Sequence, residues 1–361
     1  MANVEISNLP AATTPVAPTD VLPVVQGGVT KKAAINQLGF LQAGTGAVTR
    51  TAQSKMREMI SIRDYGAIGD GIADDTAAIQ AAFNAAKQTA LSIPAYGITV
   101  YFPRGVYKIT STLTIPIYVN LLGETVEGVI INARFNGDAF TEELSGGNST
   151  LYFTRIEELS IYKAEANGTL NTTGKAINYR RNANYVLFRR LRIYGGEYAI
   201  YGENVGYSLW NSYENVMAYY QTIAGIYCGQ GSNANRFIGC SLAFNPIGVD
   251  LPGTSVGVSF HGCDFESFSD CAIKVDSGQV SVHGGYIEMQ TILKSVIKVT
   301  GTGFVTVDGA YVRGPGAGYL ATMDGNGAVR ISNCRISNYT YSPPTIGTFA
   351  ANVPMVGGLY V

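Results

Sequence analysis

Charge is scarce in this chain. Only 14% of its 361 residues are Asp, Glu, Lys or Arg, and they cancel to a formal net charge of −1. No basic excess favours nucleic acid or an anionic membrane surface as a partner. No stretch approaches the ~18 consecutive apolar residues that a membrane helix needs. Histidine is limited to His261 and His283, and neither has a set of Cys or carboxylates around it at zinc-ligand spacing. No metal and no cofactor is expected. The start, Met1–Ala2–Asn3–Val4–Glu5, has no basic region followed by an apolar core, so no secretory signal is expected. The five cysteines, Cys228, Cys240, Cys263, Cys271 and Cys334, are an odd count without an export signal. That argues for a reducing compartment and for buried free thiols acting as small hydrophobes. A bridge between Cys240 and Cys263 is the alternative.

What is present is glycine (43) and tyrosine (23), the balance of a turn-rich all-β protein with polar-aromatic faces. From about residue 156 one pattern recurs: apolar, any, Gly/Asn, small or apolar, any, apolar. It runs through Tyr213–Ala218, Phe237–Leu242, Phe260–Phe265, Val282–Ile287, Val307–Val312 and Ile331–Ile336. The bend positions 215, 239, 262, 284, 309 and 333 are 24, 23, 22, 25 and 24 residues apart. Such a period marks a solenoid of stacked units. Phe260 and Cys263 are both apolar but of opposite parity, and parity cannot flip within one strand. The chain must turn between them, and Gly or Asn suits the left-handed backbone of such a turn. Each rung is therefore strand, bend, strand. The fold class is all-β: a right-handed parallel β-helix, the hand following the bias of parallel crossovers. Two earlier copies, Ile156–Ile161 and Phe188–Ile193, lack the Gly/Asn, and the 32 residues between positions 158 and 190 imply an inserted loop.

Residues 1–55 are rich in Pro, Ala, Thr and Val, with Val21–Val25 expected as one short strand and 42–55 as a linker. This segment has too little apolar surface to fold alone. Asp74 or Asp75 is a natural N-cap for a helix at about 75–88 with apolar residues at Ala78, Ile79, Ala82, Phe83 and Ala86. Its expected place is the open end of the solenoid, which needs a plug. The β-helix domain is read as 56–337. The Pro- and Gly-punctuated tail 338–361 is read as an end-cap or a tie between subunits.

Several segments resemble bacteriophage tail proteins. Asp64–Tyr65–Gly66–Ala67–Ile68–Gly69–Asp70–Gly71, Asp74–Asp75–Thr76, Ile79–Gln80 and Tyr101–Phe102–Pro103–Arg104–Gly105–Val106–Tyr107 look like the opening of the pectate-lyase-like β-helix of phage tailspikes. Gly44–Lys55 resembles the junction before that domain, and Ile6–Pro10 through Gln26–Lys32 resembles the particle-anchoring start of tail fibres and spikes. The resemblance implies a homotrimeric virion appendage, made in the host cytoplasm, that attaches through residues 1–55 to tail or portal-adaptor proteins. It implies recognition of host surface polysaccharide, capsule or lipopolysaccharide, which many relatives also cleave. The chain is short for a depolymerising spike. It also lacks the clustered aspartates and the Gly-His-Gly run of polygalacturonase-type relatives.

Residues two and four past each bend point outward on one strand face. Neighbouring rungs lie ~4.8 Å apart. That places Asp264, Glu266 and Glu288 together, with carboxyl groups an expected ~5–9 Å apart, within glycosidase range. Crowded carboxylates push one pKa up, which makes an acid and a base from like groups. The other reading is a solvated or trimer-facing strand with Arg313 neutralising Glu288. His261 and His283 stack in the bend column before Asp308, as exposed turn residues or as a proton shuttle. Tyr162, Tyr194, Tyr219, Tyr286 and Tyr311 on the same face as the carboxylates suit sugar stacking or a subunit interface. Two functions stay open: a polysaccharide-degrading enzyme using Glu266, Glu288 and Asp264, with Tyr286, Tyr311, Arg313, His261, His283 and Tyr219 binding substrate, or a non-catalytic host-binding or structural tail protein.

Overall fold

A computed structural model describes residues 20–92, 97–144, 150–152, 154–179, 182–203, 207–289, 295–316, 319–323 and 326–339. The Ile6–Pro10 motif and nearly all of the 338–361 tail lie outside the described residues. The chain divides into two units, Met1–Met59 and Ile60–Val361.

The described part of the first unit is small and shallow. Val21–Gln26 and Val29–Ala34 form an antiparallel hairpin closed by Gly27 and Gly28 at φ 61° and 77°. Two consecutive left-handed residues are what a tight hairpin of matched twist requires. The expected single strand at Val21–Val25 is thus half of a pair. The expected linker at 42–55 also carries structure: Arg50–Thr51 pairs with Gly39–Phe40, and the helix Ala52–Met56 follows. Thr51 caps that helix by accepting from the Ser54 amide at 3.0 Å. No described side chain in this unit is buried, and Val25, Val48 and Met56 stand about three-quarters exposed at 74%, 78% and 77%.

The second unit is the solenoid. Its strands join into one continuous sheet whose rungs pair in parallel, each with the next. The helix Thr76–Ser92 lays Ile79, Ala82, Phe83 and Ala86, all fully buried, into the core of the first rungs. Phe83 meets Phe102 edge-on at 6.2 Å. Asp74 caps this helix, accepting from the Thr76 amide at 3.1 Å. Asp75 has another job. Its buried carboxylate turns back to accept from the Ile68 and Gly69 amides at 2.6 and 3.1 Å, tying down the turn before the first rung.

The register agrees with the repeat. Phe237 pairs with Phe260, Ser241 with Asp264, and Glu266 with Glu288. All six repeat bends are left-handed: Asn215, Gly239, Gly262, Gly284, Gly309 and Asn333 have φ between 51° and 69°. Glu158 and Arg190 hold the same column at φ 60° and 49° and form an ion pair of 3.2 Å across the rungs. Inside, Phe188, Tyr213, Phe237 and Phe260 stack at centroid spacings of 5.0, 4.4 and 4.5 Å. All five cysteines are buried and free of disulfides.

Two further left-handed columns were not visible in the repeat. One runs Tyr185, Trp210, Ala234, Gly257 and the other Gly195, Tyr220, Phe244, Ser267, all with φ between 52° and 73°. After Trp210, Tyr220 and Phe244 comes a buried side-chain amide, and after Tyr185 comes Val186. Asn211 accepts from the Val186 amide at 2.8 Å and donates to the Ala183 carbonyl at 2.8 Å. Asn235 repeats this one rung on, accepting from the Asn211 amide at 2.9 Å. In the other column Asn245 does likewise, accepting from the Gln221 amide at 2.9 Å and donating to the Ala218 carbonyl at 2.9 Å. The Gln221 side chain only donates, to the Ile193, Gly195 and Tyr219 carbonyls at 3.4, 3.2 and 2.9 Å. These ladders satisfy backbone groups that the bends would leave unpaired inside the core.

Candidate functional site

The strand after the repeat bend presents an ordered face. Alternation sends Phe265 and Ile287 inward, both fully buried, so Asp264, Glu266, Tyr286 and Glu288 must face outward. The structure brings the predicted carboxylates together with Tyr286, Tyr311 and Arg313 in adjacent rungs.

Their environments differ. Asp264 accepts from Ser241 Oγ at 3.2 Å, and Ser241 is bonded in turn to the Tyr219 hydroxyl at 2.8 Å. The other oxygen, Oδ1, is buried with no hydrogen-bond partner among the described residues. Burial pushes the Asp264 carboxyl up, against the Ser241 hydrogen bond, and the charge of Glu288 pushes it further. Glu266 is raised too, first by burial and then by Asp264 and Glu288. Its carboxylate has no hydrogen-bond or ion-pair partner among the described residues. Glu288 is engaged: Tyr286 donates its hydroxyl proton to Oε2 at 2.6 Å, and Arg313 lies 3.5 Å from Oε1. Tyr311 stacks obliquely on Tyr286 at 5.4 Å and lies under the Arg335 guanidinium at 5.3 Å.

The histidines are elsewhere. His261 and His283 stack at 5.0 Å and 18°, as their spacing predicted. They end the strand before the bend, and the next side chain in their column is Asp308, not a carboxylate of the cluster. Ser332 and Asn333 each donate to Asp308 at 2.8 Å and hold its carboxyl below the usual range, with His283 adding a smaller effect.

An aromatic run leads to the carboxylates, and of it the reading from sequence placed the outward tyrosines but missed Tyr220 and Phe244. Tyr162, Tyr194 and Tyr219 step along the outward face with ring centroids 4.9 and 5.5 Å apart. At the neighbouring bend Tyr220 stacks on Phe244 at 4.8 Å and 7°, both nearly half exposed. The next residue in that bend column is the small Ser267, which directly follows Glu266, and the Phe244 amide donates to the Glu266 carbonyl at 3.1 Å. From the Tyr162 rung to the Glu288 rung is about 24 Å at one strand spacing per rung. A signal existed: Tyr220 and Phe244 are 24 residues apart, the period of the repeat. Among the described residues no group of three or more His, Cys, Asp or Glu is placed to hold a metal ion, and no helix is long and apolar enough to cross a membrane.

Residues 59–186 match the family described as rhamnogalacturonase A/epimerase, pectate lyase-like. The match covers less than half of the chain, and the stacked parallel rungs make the fold a parallel β-helix similar to that of pectate-lyase-like proteins. The chain is also similar to phage tailspikes. It is 28% identical over 232 residues to the tail spike protein of Shigella phage Sf6, covering 63% of this chain and 32% of that protein. It is 32% identical over 123 residues to a mannuronan C5-epimerase of Azotobacter vinelandii, covering 32% of this chain and 11% of the epimerase. Among solved structures it aligns with the tailspike of E. coli bacteriophage HK620 in complex with a pentasaccharide, at TM-score 0.56 and 12% identity, covering 84% of this chain and 67% of that one. The Acinetobacter phage vB_ApiP_P1 tailspike aligns at TM-score 0.54 and 15% identity, covering 87% and 66%. The chain thus spans about a third or less of the length of these curated relatives, and the structural likenesses establish the fold.

Proposed function

We propose that this protein is a bacteriophage tail appendage whose outward face past the repeat bend binds host surface polysaccharide and hydrolyses it. In this reading it is a virion component made in the host cytoplasm. It works as a homotrimer, attached through residues 1–55 to tail or portal-adaptor proteins, with 338–361 joining subunits. The tail spike similarity supports the appendage. The observation that carries the chemistry is Glu266, a carboxyl without a hydrogen-bond or ion-pair partner among the described residues and with a raised pKa, at the end of the Tyr220–Phe244 stack. Aromatic faces suit the apolar faces of sugar rings, so a glycan lying along the axis would be delivered to the carboxylates. Glu266 would protonate the leaving glycosidic oxygen, and Glu288, oriented by Tyr286 and Arg313, would act from the other side as nucleophile or base. The charge of Asp264 would add to burial in raising the Glu266 carboxyl.

A second reading rests on the same ion pair. Arg313 and Tyr286 occupy Glu288 as they would in a purely structural network, which favours a binding protein without chemistry. Incubation of purified protein with host capsule or lipopolysaccharide glycan separates the two. New reducing ends are expected, and unsaturated products absorbing in the ultraviolet would instead mark a lyase. Glu266→Gln and Glu288→Gln should each lower the rate by 10²-fold or more with the fold intact. Binding without products would establish the second reading.

A further inference from the structure

The Tyr185–Trp210 corner has no part in the carboxylate site. The two rings stack at 5.1 Å and 7°, almost parallel, and remain 43% and 46% exposed. Bulky residues avoid the left-handed conformation that both adopt, so an exposed aromatic pair held there is unusual. The backbone beneath is fixed: the Trp210 amide donates to the Asn233 carbonyl at 2.8 Å, and the next residue, Asn211, belongs to the buried amide ladder.

The column then stops being aromatic. Its next members are Ala234 and Gly257, and a Cβ built on Gly257 would meet nothing nearer than the Ala234 backbone at 3.9 Å. Tyr185 covers one face of the indole. The other looks over a methyl group and then over a glycine. The missing rings leave a slot one strand spacing thick per rung, ~4.8 Å, close to the separation at which two rings stack. Polar groups flank it. Asn233 and Arg236 are exposed beside Ala234, and the Arg236 guanidinium has no ion-pair partner among the described residues.

We infer that this slot is a second saccharide subsite, in which a pyranose ring takes the place of the next ring in the ladder. The ring lies on the free indole face of Trp210 above Ala234, with Asn233 and Arg236 meeting its hydroxyl or carboxylate groups. An apolar surface for another protein would need no one-ring step and no polar rim. The inference rests on the reading of the chain as a glycan-binding protein, not on cleavage.

Trp210 is the single tryptophan of the chain, so its fluorescence reports on the slot directly. The intact protein is titrated with maltohexaose, hexagalacturonate and a mannuronate hexamer. At least one should give a saturable emission change and shield the indole from acrylamide. Ala234→Phe would continue the ladder and fill the slot. It should keep the circular dichroism and melting of the parent and weaken that sugar tenfold or more. Glu266→Gln should leave the emission change intact, so loss of cleavage and loss of this subsite are read separately. Emission unmoved by all three sugars would overturn the inference, as would unchanged sugar affinity in Ala234→Phe. A change of subunit number in light scattering for Ala234→Phe, with sugar binding unaltered, would also overturn it and assign the corner to contact between copies.

Discussion

Three bend columns run along the solenoid with one backbone torsion, and they are built in opposite ways. From Asn215 onward the repeat column uses Gly and Asn, which meet little strain at positive φ, and follows them with small or apolar residues such as Val216, Cys240 and Cys263. The other two carry Tyr185, Trp210, Tyr220 and Phe244 and follow each with an inward amide or, after Tyr185, Val186. Where the residue relieves the strain, packing alone completes the corner. Where an aromatic residue imposes it, hydrogen bonds buried beneath hold the corner in place. Strain kept under an exposed ring points to use rather than economy.

The contrast can be broken from below. Asn211→Ala removes partners from the Val186 amide and the Ala183 carbonyl, both at 2.8 Å. At 1–3 kcal/mol for each buried group left unpaired, a loss of about 3 kcal/mol or more is expected in chemical denaturation. Cys240→Ala, at the matching place in the repeat column, should cost only about 1 kcal/mol, since little more than a thiol is lost. Equal losses would show that the amide ladder is not what supports the aromatic corners.

Exchanging the corner residues sharpens the comparison. Gly262 has open space where its Cβ would lie, so Gly262→Trp meets only torsional strain. About 1–2 kcal/mol of stability should be lost. Trp210→Gly releases similar strain and gives up about 0.5–1.5 kcal/mol of stacking. Its midpoint should move by less than about 1 kcal/mol, while the saccharide binding followed with labelled sugar disappears. A large stability loss in Trp210→Gly would make the ring structural.

The smallest effect is a pH dependence. The Asp264 carboxyl is raised in the folded chain, so its ionised form is the disfavoured one. The unfolded chain then releases its proton first. Stability is fully present below the unfolded pKa and declines as pH rises through the raised folded pKa. Asp264→Asn should remove that decline, and melting temperatures from pH 4 to 7 should run flatter than those of the parent. A steeper decline in the variant would contradict the assigned environment.

The repeat column was legible because Gly and Asn advertise left-handed bends. From it followed the register that pairs Glu266 with Glu288 and stacks His261 on His283. The aromatic columns were hidden for the converse reason: Tyr, Trp and Phe ordinarily signal strands, and nothing local marks them as corners. Asn211 and Asn245 were equally silent, since a buried ladder amide looks like any loop asparagine until its partners, 27 to 28 residues back, are known. Asp75 misled differently. Its place next to Thr76 suits a cap, but its carboxylate serves the Ile68–Gly69 turn.

The strict alternation of inward and outward residues in each rung has an evolutionary consequence. Inward positions such as Phe265 and Ile287 carry the packing, while their neighbours Asp264, Glu266, Tyr286 and Glu288 do not enter the core. A mutation on the outer face therefore edits one short interval of the surface, like one character in a line of movable type. Core positions elsewhere are left as they were. A protein facing a changing target can rewrite its contacts rung by rung, by single substitutions, without passing through an unfolded intermediate sequence.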